Sequence, residues 1–216
     1  MKPRSLALIG CFLATLQLPC IAAEEDSVVD KIVRRDIETG PHSISFCSRG
    51  DGSLGHAFIL LASQNDTTQA CTIDAAVGFW PDTNKSKERL LALFRPLPGK
   101  LVDELKASGT IANAECRLTI PLTKSEFEIL KIKLGKYDGQ NYVLLGNDCV
   151  TFCEEVARDV FQLKVPDREQ LFKEFKSDVR ASIVKGTRSD ASEETVIERF
   201  PVRYIRKLGD LNGTAR

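Results

Sequence analysis

The chain has 216 residues, of which 43% are hydrophobic and 28% are charged, a composition typical of a globular protein with one sizeable domain. Thirty Lys and Arg residues balance thirty Asp and Glu residues without forming a basic stripe, which argues against a nucleic-acid-binding protein. Because His42 and His56 are the only histidines, a zinc hydrolase is disfavoured, and we expect no metal and no cofactor.

The first predicted element is a secretory signal peptide over residues 1–23. Lys2 and Arg4 form a short positive region, an apolar stretch follows over residues 6–21, and small residues precede an acidic segment. No later segment approaches the roughly 18 to 20 apolar residues that a bilayer span requires. We therefore expect a secreted or periplasmic protein without a stable membrane span, in which residues 24–42 form an N-terminal extension.

Strand patterns dominate the first half of the main domain, which we place at residues 43–185. The predicted strands are, in order, Ser43–Cys47, His56–Leu61, Cys71–Phe79 and Cys116–Pro121. Between the third and fourth strands, the pattern predicts a turn at Pro96–Gly99 and a short helix over Leu101–Ala107.

Helix patterns follow in the second half of the main domain. Thr123 and Glu126 form a capping box that starts a helix running to about Leu134. Further helices are predicted from about Cys149 to Phe161 and from about Arg168, and residues 186–216 are expected to be a partly flexible C-terminal segment. The fold class expected is α+β, with a small antiparallel sheet and the Cys149 helix packed against it.

Export affects the chemistry expected of the cysteines. Five cysteines follow the signal peptide: Cys47, Cys71, Cys116, Cys149 and Cys153. Because the number is odd, at least one has no partner within the chain. We predict a disulfide between Cys47 and Cys71, which flank the hairpin that contains the histidine strand.

Cys149 is the candidate nucleophile because it occupies the first turn of its predicted helix. There, backbone N–H groups and the helix dipole lower the pKa of a thiol and can hold an oxyanion. Asn147 and Asp148 are suitable N-caps for this helix. Cys153 lies one turn further along, among apolar residues, so we predict that Cys149 is the free reactive thiol and that Cys153 is inert. A structural, buried Cys149 is the competing interpretation.

A thiol nucleophile needs a base, and His56 is the better placed histidine. It opens a buried strand directly after a glycine-rich turn, whereas His42 is expected at the surface. Asp74 is the candidate for the group that orients the imidazole, because it lies on the polar face of the next strand. A solvated strand aspartate is the competing interpretation of Asp74.

Two short motifs carry a family resemblance: GHAFIL at residues 55–60 and NYVLLGNDCVTF at residues 141–152. Together they resemble the circularly permuted branch of the papain-like NlpC/P60 superfamily, in which the histidine strand precedes the cysteine helix. That group includes bacterial cell-wall amidases and peptidases and the lecithin:retinol acyltransferase relatives. The resemblance covers roughly residues 43–165.

The resemblance implies a papain-like domain with Cys149 as nucleophile, His56 as base and Asp74 as a provisional orienting group. One position departs from the pattern, since Asp148 stands before the cysteine where many relatives have Asn. A negative charge beside the thiol raises its pKa unless the carboxylate is turned away as a helix cap.

The function expected is that of a secreted thiol hydrolase that cleaves an amide bond through a Cys–His acyl-enzyme, with a cell-wall peptide or another extracellular amide as substrate. Three alternatives remain open. An acyltransferase or thioesterase acting on lipids should show an apolar acyl channel, and a noncatalytic secreted binding module should hold Cys149 oxidised. A secreted effector would carry the same chemistry, and the oligomeric state is left open.

Overall fold

A six-stranded antiparallel sheet forms the centre of the protein. The structure is a computed structural model that describes residues 32, 41–50, 55–65, 67–68, 70–83, 89–107, 113–186 and 198–213. Its strands are β1 His42–Arg49, β2 His56–Gln64, β3 Cys71–Pro81, β4 Leu97–Asp103, β5 Glu115–Leu122 and β6 Asn141–Tyr142. They are arranged in the order β5-β1-β2-β3-β4-β6. The predicted signal peptide lies outside the described residues.

Five α-helices accompany the sheet within the described residues. They are α1 Glu104–Ala107, α2 Lys124–Tyr137, α3 Cys149–Glu155, α4 Arg168–Gly186 and α5 Phe200–Asn212. The predicted capping box is confirmed, because the Thr123 side chain accepts the Glu126 N–H while the Glu126 side chain accepts the Thr123 N–H. The mixture of helices and antiparallel sheet confirms the α+β class. No helix of the described residues is long and apolar enough to span a membrane.

The segment after residue 96 differs from the prediction. A turn at Pro96–Gly99 and a helix from Leu101 were expected, but β4 occupies Leu97–Asp103 and only Glu104–Ala107 is helical. The reason is tertiary pairing, because β3 offers its hydrogen-bonding edge to β4 over five residue pairs. Gly99 serves close packing in this strand, since a Cβ at that position would collide with the ring of Phe79.

One face of the sheet carries the main hydrophobic core. Alternating residues of β1, β2 and β3, including Phe46, Ile59 and Val77, pack there against the helices. Helix α5 also belongs to this core, with Tyr204 and Leu208 fully buried. The C-terminal segment, expected to be partly flexible, therefore supplies a packed helix over residues 200–212.

The predicted disulfide between Cys47 and Cys71 is wrong, because Cys47 is bonded to Cys116 across a separation of 69 residues. Strands β1 and β3 both run antiparallel to β2, so the end of β1 lies beside the start of β2 whereas the start of β3 lies beside the end of β2. Strand β5 pairs with β1 on its other side and places Cys116 directly opposite Cys47. A cross-link over this loop stabilises the folded chain by about 4 kcal/mol in the chain-entropy model.

Candidate active site

His56 and Cys149 line the same cavity, which has a volume of about 220 Å³. His56 opens β2 and Cys149 opens α3, and both side chains are almost fully buried. The backbone N–H of Ala57, next to the histidine, donates a hydrogen bond to the Cys149 thiol. The packing of α3 on β2 thus places both sequence-predicted residues on the lining of one cavity, near the start of β2.

Glu104 is the acidic partner of His56. Its Oε1 atom lies 2.9 Å from His56 Nε2 and accepts a hydrogen bond of 2.5 Å from Trp80 Nε1. The Trp80 ring also stacks on the imidazole, with 4.0 Å between the ring centroids. The imidazole is therefore fixed on two sides, at its Nε2 edge by Glu104 and across its face by Trp80.

The Glu104 carboxyl group favours its ionised form despite being buried. Burial by itself raises its pKa, but the hydrogen bonds from His56 and Trp80 and the positive charges of His56 and Arg49 outweigh that effect. The net result is a pKa below the ordinary value of 4.5. Arg49 Nη2 lies 3.1 Å from Glu104 Oε2. Since a carboxylate only accepts hydrogen bonds, the hydrogen between the two groups belongs to His56 Nε2, whether or not Nδ1 also carries one.

Asp74, the predicted orienting group, does not lie beside His56. Its Oδ1 atom accepts a hydrogen bond of 3.1 Å from Ser63, near the opposite end of β2. The pairing of β2 with β3 places the start of β2 near Trp80, six residues along β3 from Asp74. Six residues of strand span about 20 Å, so Glu104 rather than Asp74 occupies the position of an orienting carboxylate.

Gly78 is the sequence feature that indicates close packing where Glu104 meets His56. A Cβ at this position would collide with both Glu104 Oε1 and His56 Nε2. Glycine inside a strand often marks a place where other groups approach the backbone closely. The pairing of Gly78 with Val102 also brings the end of β4, and hence Glu104, to this site.

The Cys149 thiol differs from the sequence expectation, because burial raises its pKa to about 12. The second contribution is the charge of Asp148, and the Ala57 N–H and Arg168 act in the lowering direction. Asp148 also occupies the helix N–H groups that were expected to lower the pKa, since its Oδ1 accepts the N–H groups of Val150 and Thr151. Cys149 is therefore a neutral thiol before any substrate is bound.

Arg168 compensates the charge of Asp148. Its Nη2 atom lies 2.7 Å from Asp148 Oδ2, and the side chains are 19% and 3% exposed, respectively. Asp148 Oδ2 also accepts the N–H of Leu145 at 2.8 Å. The negative charge of Asp148 is thus balanced by the guanidinium of Arg168 from α4, and the Asp148 carboxylate caps the start of α3.

Tyr142 faces the thiol from β6. Its hydroxyl group lies within hydrogen-bonding reach of both the Cys149 side chain and the Cys149 backbone N–H. Burial, together with the nearby Cys149 and Asp148, raises the pKa of Tyr142 well above its ordinary value, so the phenol keeps its hydrogen. The Tyr142 hydroxyl is therefore a hydrogen-bond donor next to Cys149.

The cavity is mainly apolar. Its apolar lining includes Leu93, Leu144, Val150, Phe172, Phe175 and Phe200. Two cationic side chains, Arg89 and Arg199, also line it, and the Arg89 guanidinium lies 4.8 Å from the centre of the Trp80 ring. A lining of this kind suits an apolar group of a substrate better than a charged one.

Three cysteines of the described residues are free. Cys71 is exposed at the start of β3, whereas Cys149 and Cys153 are buried. Cys149 is thus free, as predicted, but Cys71, which was expected in a disulfide, is the free cysteine most accessible to solvent. Burial, together with the neighbouring Cys149 and Asp148, raises the pKa of Cys153 well above its ordinary value, as burial also does for Cys149.

Comparisons with protein-family models, with curated proteins and with solved structures found no match to this chain. Within the described residues, no group of three or more His, Cys, Asp or Glu side chains is placed to hold a metal ion.

Proposed function

We propose that the protein is a thiol hydrolase that forms an acyl-enzyme on Cys149, with His56 as general base and Glu104 as the residue that orients it. The observation that carries this proposal is the hydrogen bond from His56 to Glu104 on the wall of the cavity that also contains Cys149. Nucleophile, base and orienting carboxylate are the parts that acyl transfer by a thiol requires. Membership of the permuted NlpC/P60 branch is part of the same proposal.

The proton of the thiol moves to His56 Nδ1. Glu104 holds the hydrogen of the neutral imidazole on Nε2, so the lone pair is on Nδ1. Because burial keeps the Cys149 thiol protonated, transfer of its proton accompanies attack of the sulfur on the substrate carbonyl carbon. The ionised Glu104 then stabilises the imidazolium that results.

The negative charge that develops on the carbonyl oxygen needs donors. The Cys149 backbone N–H and the Tyr142 hydroxyl are the donors next to the thiol, and we assign this role to them. When the tetrahedral intermediate collapses, the bond to the leaving group breaks and the imidazolium gives its proton to that group. Water, deprotonated by His56, then attacks the thioester, releasing the acid and restoring the thiol.

The apolar cavity favours a substrate whose acyl part is apolar. An acyl channel is the feature that distinguishes a lipid thioesterase or acyltransferase from a cell-wall peptidase, and Phe172, Phe175 and Phe200 provide an apolar surface in the same cavity as Cys149. Cell-wall peptides are polar and charged, so they fit this lining less well. An amide, ester or thioester of an apolar acid is therefore the proposed substrate class.

The test compares octanoyl and acetyl p-nitrophenyl esters and p-nitroanilides with a cross-linked cell-wall peptide. We expect turnover of the octanoyl compounds to exceed that of the acetyl compounds. Cys149→Ala should abolish turnover, His56→Ala should reduce it about a hundredfold or more, and Glu104→Gln should reduce it at least about tenfold. Asp74→Asn is the matched control and should leave turnover unchanged.

Equal turnover by the wild type and Cys149→Ala would overturn the proposed chemistry. A preference for the cell-wall peptide would overturn the apolar acyl substrate while leaving the thiol mechanism in place. Loss of activity in Asp74→Asn equal to that in Glu104→Gln would contradict the orienting role of Glu104. Circular dichroism of each variant would show that the fold is retained.

A further inference from the structure

Three exposed apolar side chains lie on the lining of the cavity or next to it in the chain. Phe94 is 85% exposed, and Leu93 and Leu145 are each 45% exposed. Leu93 and Leu145 line the cavity, and Phe94 directly follows Leu93. We refer to these three residues as the mouth patch. Large apolar side chains grouped at the opening of a cavity are typical of a surface that contacts another apolar phase.

The backbone holds the mouth patch in place. Leu93 ends a short 3₁₀ helix, Leu90–Leu93, which is joined to the segment of Leu145 by a hydrogen bond of 3.1 Å from the Leu144 N–H to the Ala92 carbonyl oxygen, and Ala92 is fully buried. Leu145 adopts a left-handed conformation with φ of 67°, which is rare for a leucine. Its N–H is held by the buried Asp148 carboxylate, so this conformation is built into the site.

Cationic side chains accompany the mouth patch among the described residues. Arg95 directly follows Phe94 and is exposed, and Arg89 and Arg199 line the cavity. Anionic lipid surfaces attract such basic clusters, and reversible binding to a bilayer usually needs both an apolar insertion and this attraction.

We propose that the mouth patch docks the protein on an anionic lipid bilayer, with Phe94 inserted among the headgroups and Arg95 facing the lipid phosphates. The cavity then opens onto the bilayer, so an acyl chain can reach it without crossing water. Docking on the bilayer does not depend on hydrolysis at Cys149. The use of the bilayer as the source of the substrate rests on the proposed hydrolase function.

The test is sedimentation of the full chain, carrying Cys149→Ala to prevent turnover, with vesicles of phosphatidylglycerol and phosphatidylcholine or of phosphatidylcholine alone. We expect binding to the anionic vesicles that weakens with added salt. Phe94→Glu and Arg95→Glu should each weaken it about tenfold. Ile132→Glu is the matched control, because Ile132 is 61% exposed on α2, which contributes no residue to the cavity lining.

Absence of binding to anionic vesicles would overturn the docking proposal, as would an equal loss in Ile132→Glu and Phe94→Glu. Self-association of the wild type that disappears in Phe94→Glu, without vesicle binding, would assign the patch to a second copy of the chain and overturn it too. Turnover of a soluble octanoyl ester separates the two proposals. With Cys149 intact, Phe94→Glu should retain that turnover, and failure of the wild type to turn it over would count against the hydrolase alone.

Discussion

Replacing Arg168 with Gln should destabilise the fold and make Cys149 harder to deprotonate. The change removes the 2.7 Å contact with Asp148, whose side chain is only 3% exposed. Removing one partner of a buried ion pair costs about 3 to 5 kcal/mol. Because Asp148 keeps the N–H hydrogen bonds of Leu145, Val150 and Thr151, we expect a loss near the lower limit, about 3 kcal/mol.

The reciprocal variant, Asp148→Asn, should also destabilise the fold. An amide NH₂ in place of Oδ2 would face the Leu145 N–H and the Arg168 guanidinium, both of which are donors. In the double variant Arg168→Gln/Asp148→Asn, no unpaired charge remains. The combined loss in the free energy of unfolding should therefore be smaller than the sum of the single losses by about 2 kcal/mol, as measured by urea denaturation.

The two single variants should shift thiol reactivity in opposite directions. The charge of Asp148 raises the pKa of Cys149 and that of Arg168 lowers it, so Asp148→Asn should lower the pKa and Arg168→Gln should raise it. The pH dependence of iodoacetamide alkylation at Cys149, followed by peptide mapping, measures both shifts. Shifts in the same direction, or additive losses of stability, would refute the reasoning.

Three further predictions concern the sheet and the orienting carboxylate. Glu104→Gln should lower the free energy of unfolding at neutral pH, because folding lowers the pKa of Glu104. The difference in stability between the wild type and this variant should be complete above pH 4.5 and disappear as the pH falls through the pKa of Glu104 in the folded protein. Urea denaturation that shows the difference growing on acidification would contradict this prediction. Gly78→Ala should displace the His56–Glu104 pair and reduce turnover at least about tenfold, and unchanged kinetics would exclude the close approach described here. Cys47→Ala/Cys116→Ala should lower the free energy of unfolding by about 4 kcal/mol in urea, and a loss below roughly 1 kcal/mol would show that the cross-link contributes little.

Local patterns were sufficient to predict most of the regular structure. The apolar run at His56 and the alternation after Cys71 each predicted a strand, and the capping box at Thr123 predicted the start of α2. These signals depend on residues that are neighbours in sequence. The same patterns indicated His56 and Cys149 as candidate site residues, because the start of a strand and the start of a helix can be recognised in a sequence.

Features that depend on nonlocal pairing could not be predicted in this way. Strand β4 forms because β3 offers it an edge, and the Cys47–Cys116 bond forms because β5 pairs with β1 rather than with a sequence neighbour. Glu104 was missed for the same reason, since it reaches His56 only through the β3–β4 pairing.

The raised pKa of the Cys149 thiol also differs from the sequence expectation, but its cause is burial and not strand pairing. A helix N-terminus was expected to lower the pKa of Cys149, but Asp148 occupies the N–H groups of Val150 and Thr151. Burial then dominates the environment of the sulfur. The sequence indicated Asp148 as a cap, but the extent of burial depends on the packing of α3 against the sheet, which no local pattern reports.

The most direct test of the central claim is covalent trapping of the acyl-enzyme. The protein is mixed with octanoyl p-nitrophenyl ester, quenched with acid at short times and mapped by mass spectrometry. We expect one octanoyl group on Cys149, formed about a hundredfold or more slowly in His56→Ala, with the exposed thiol of Cys71 reporting ordinary background acylation. Acylation of Cys71 alone, or acylation of Cys149 at the same rate with and without His56, would contradict the claim.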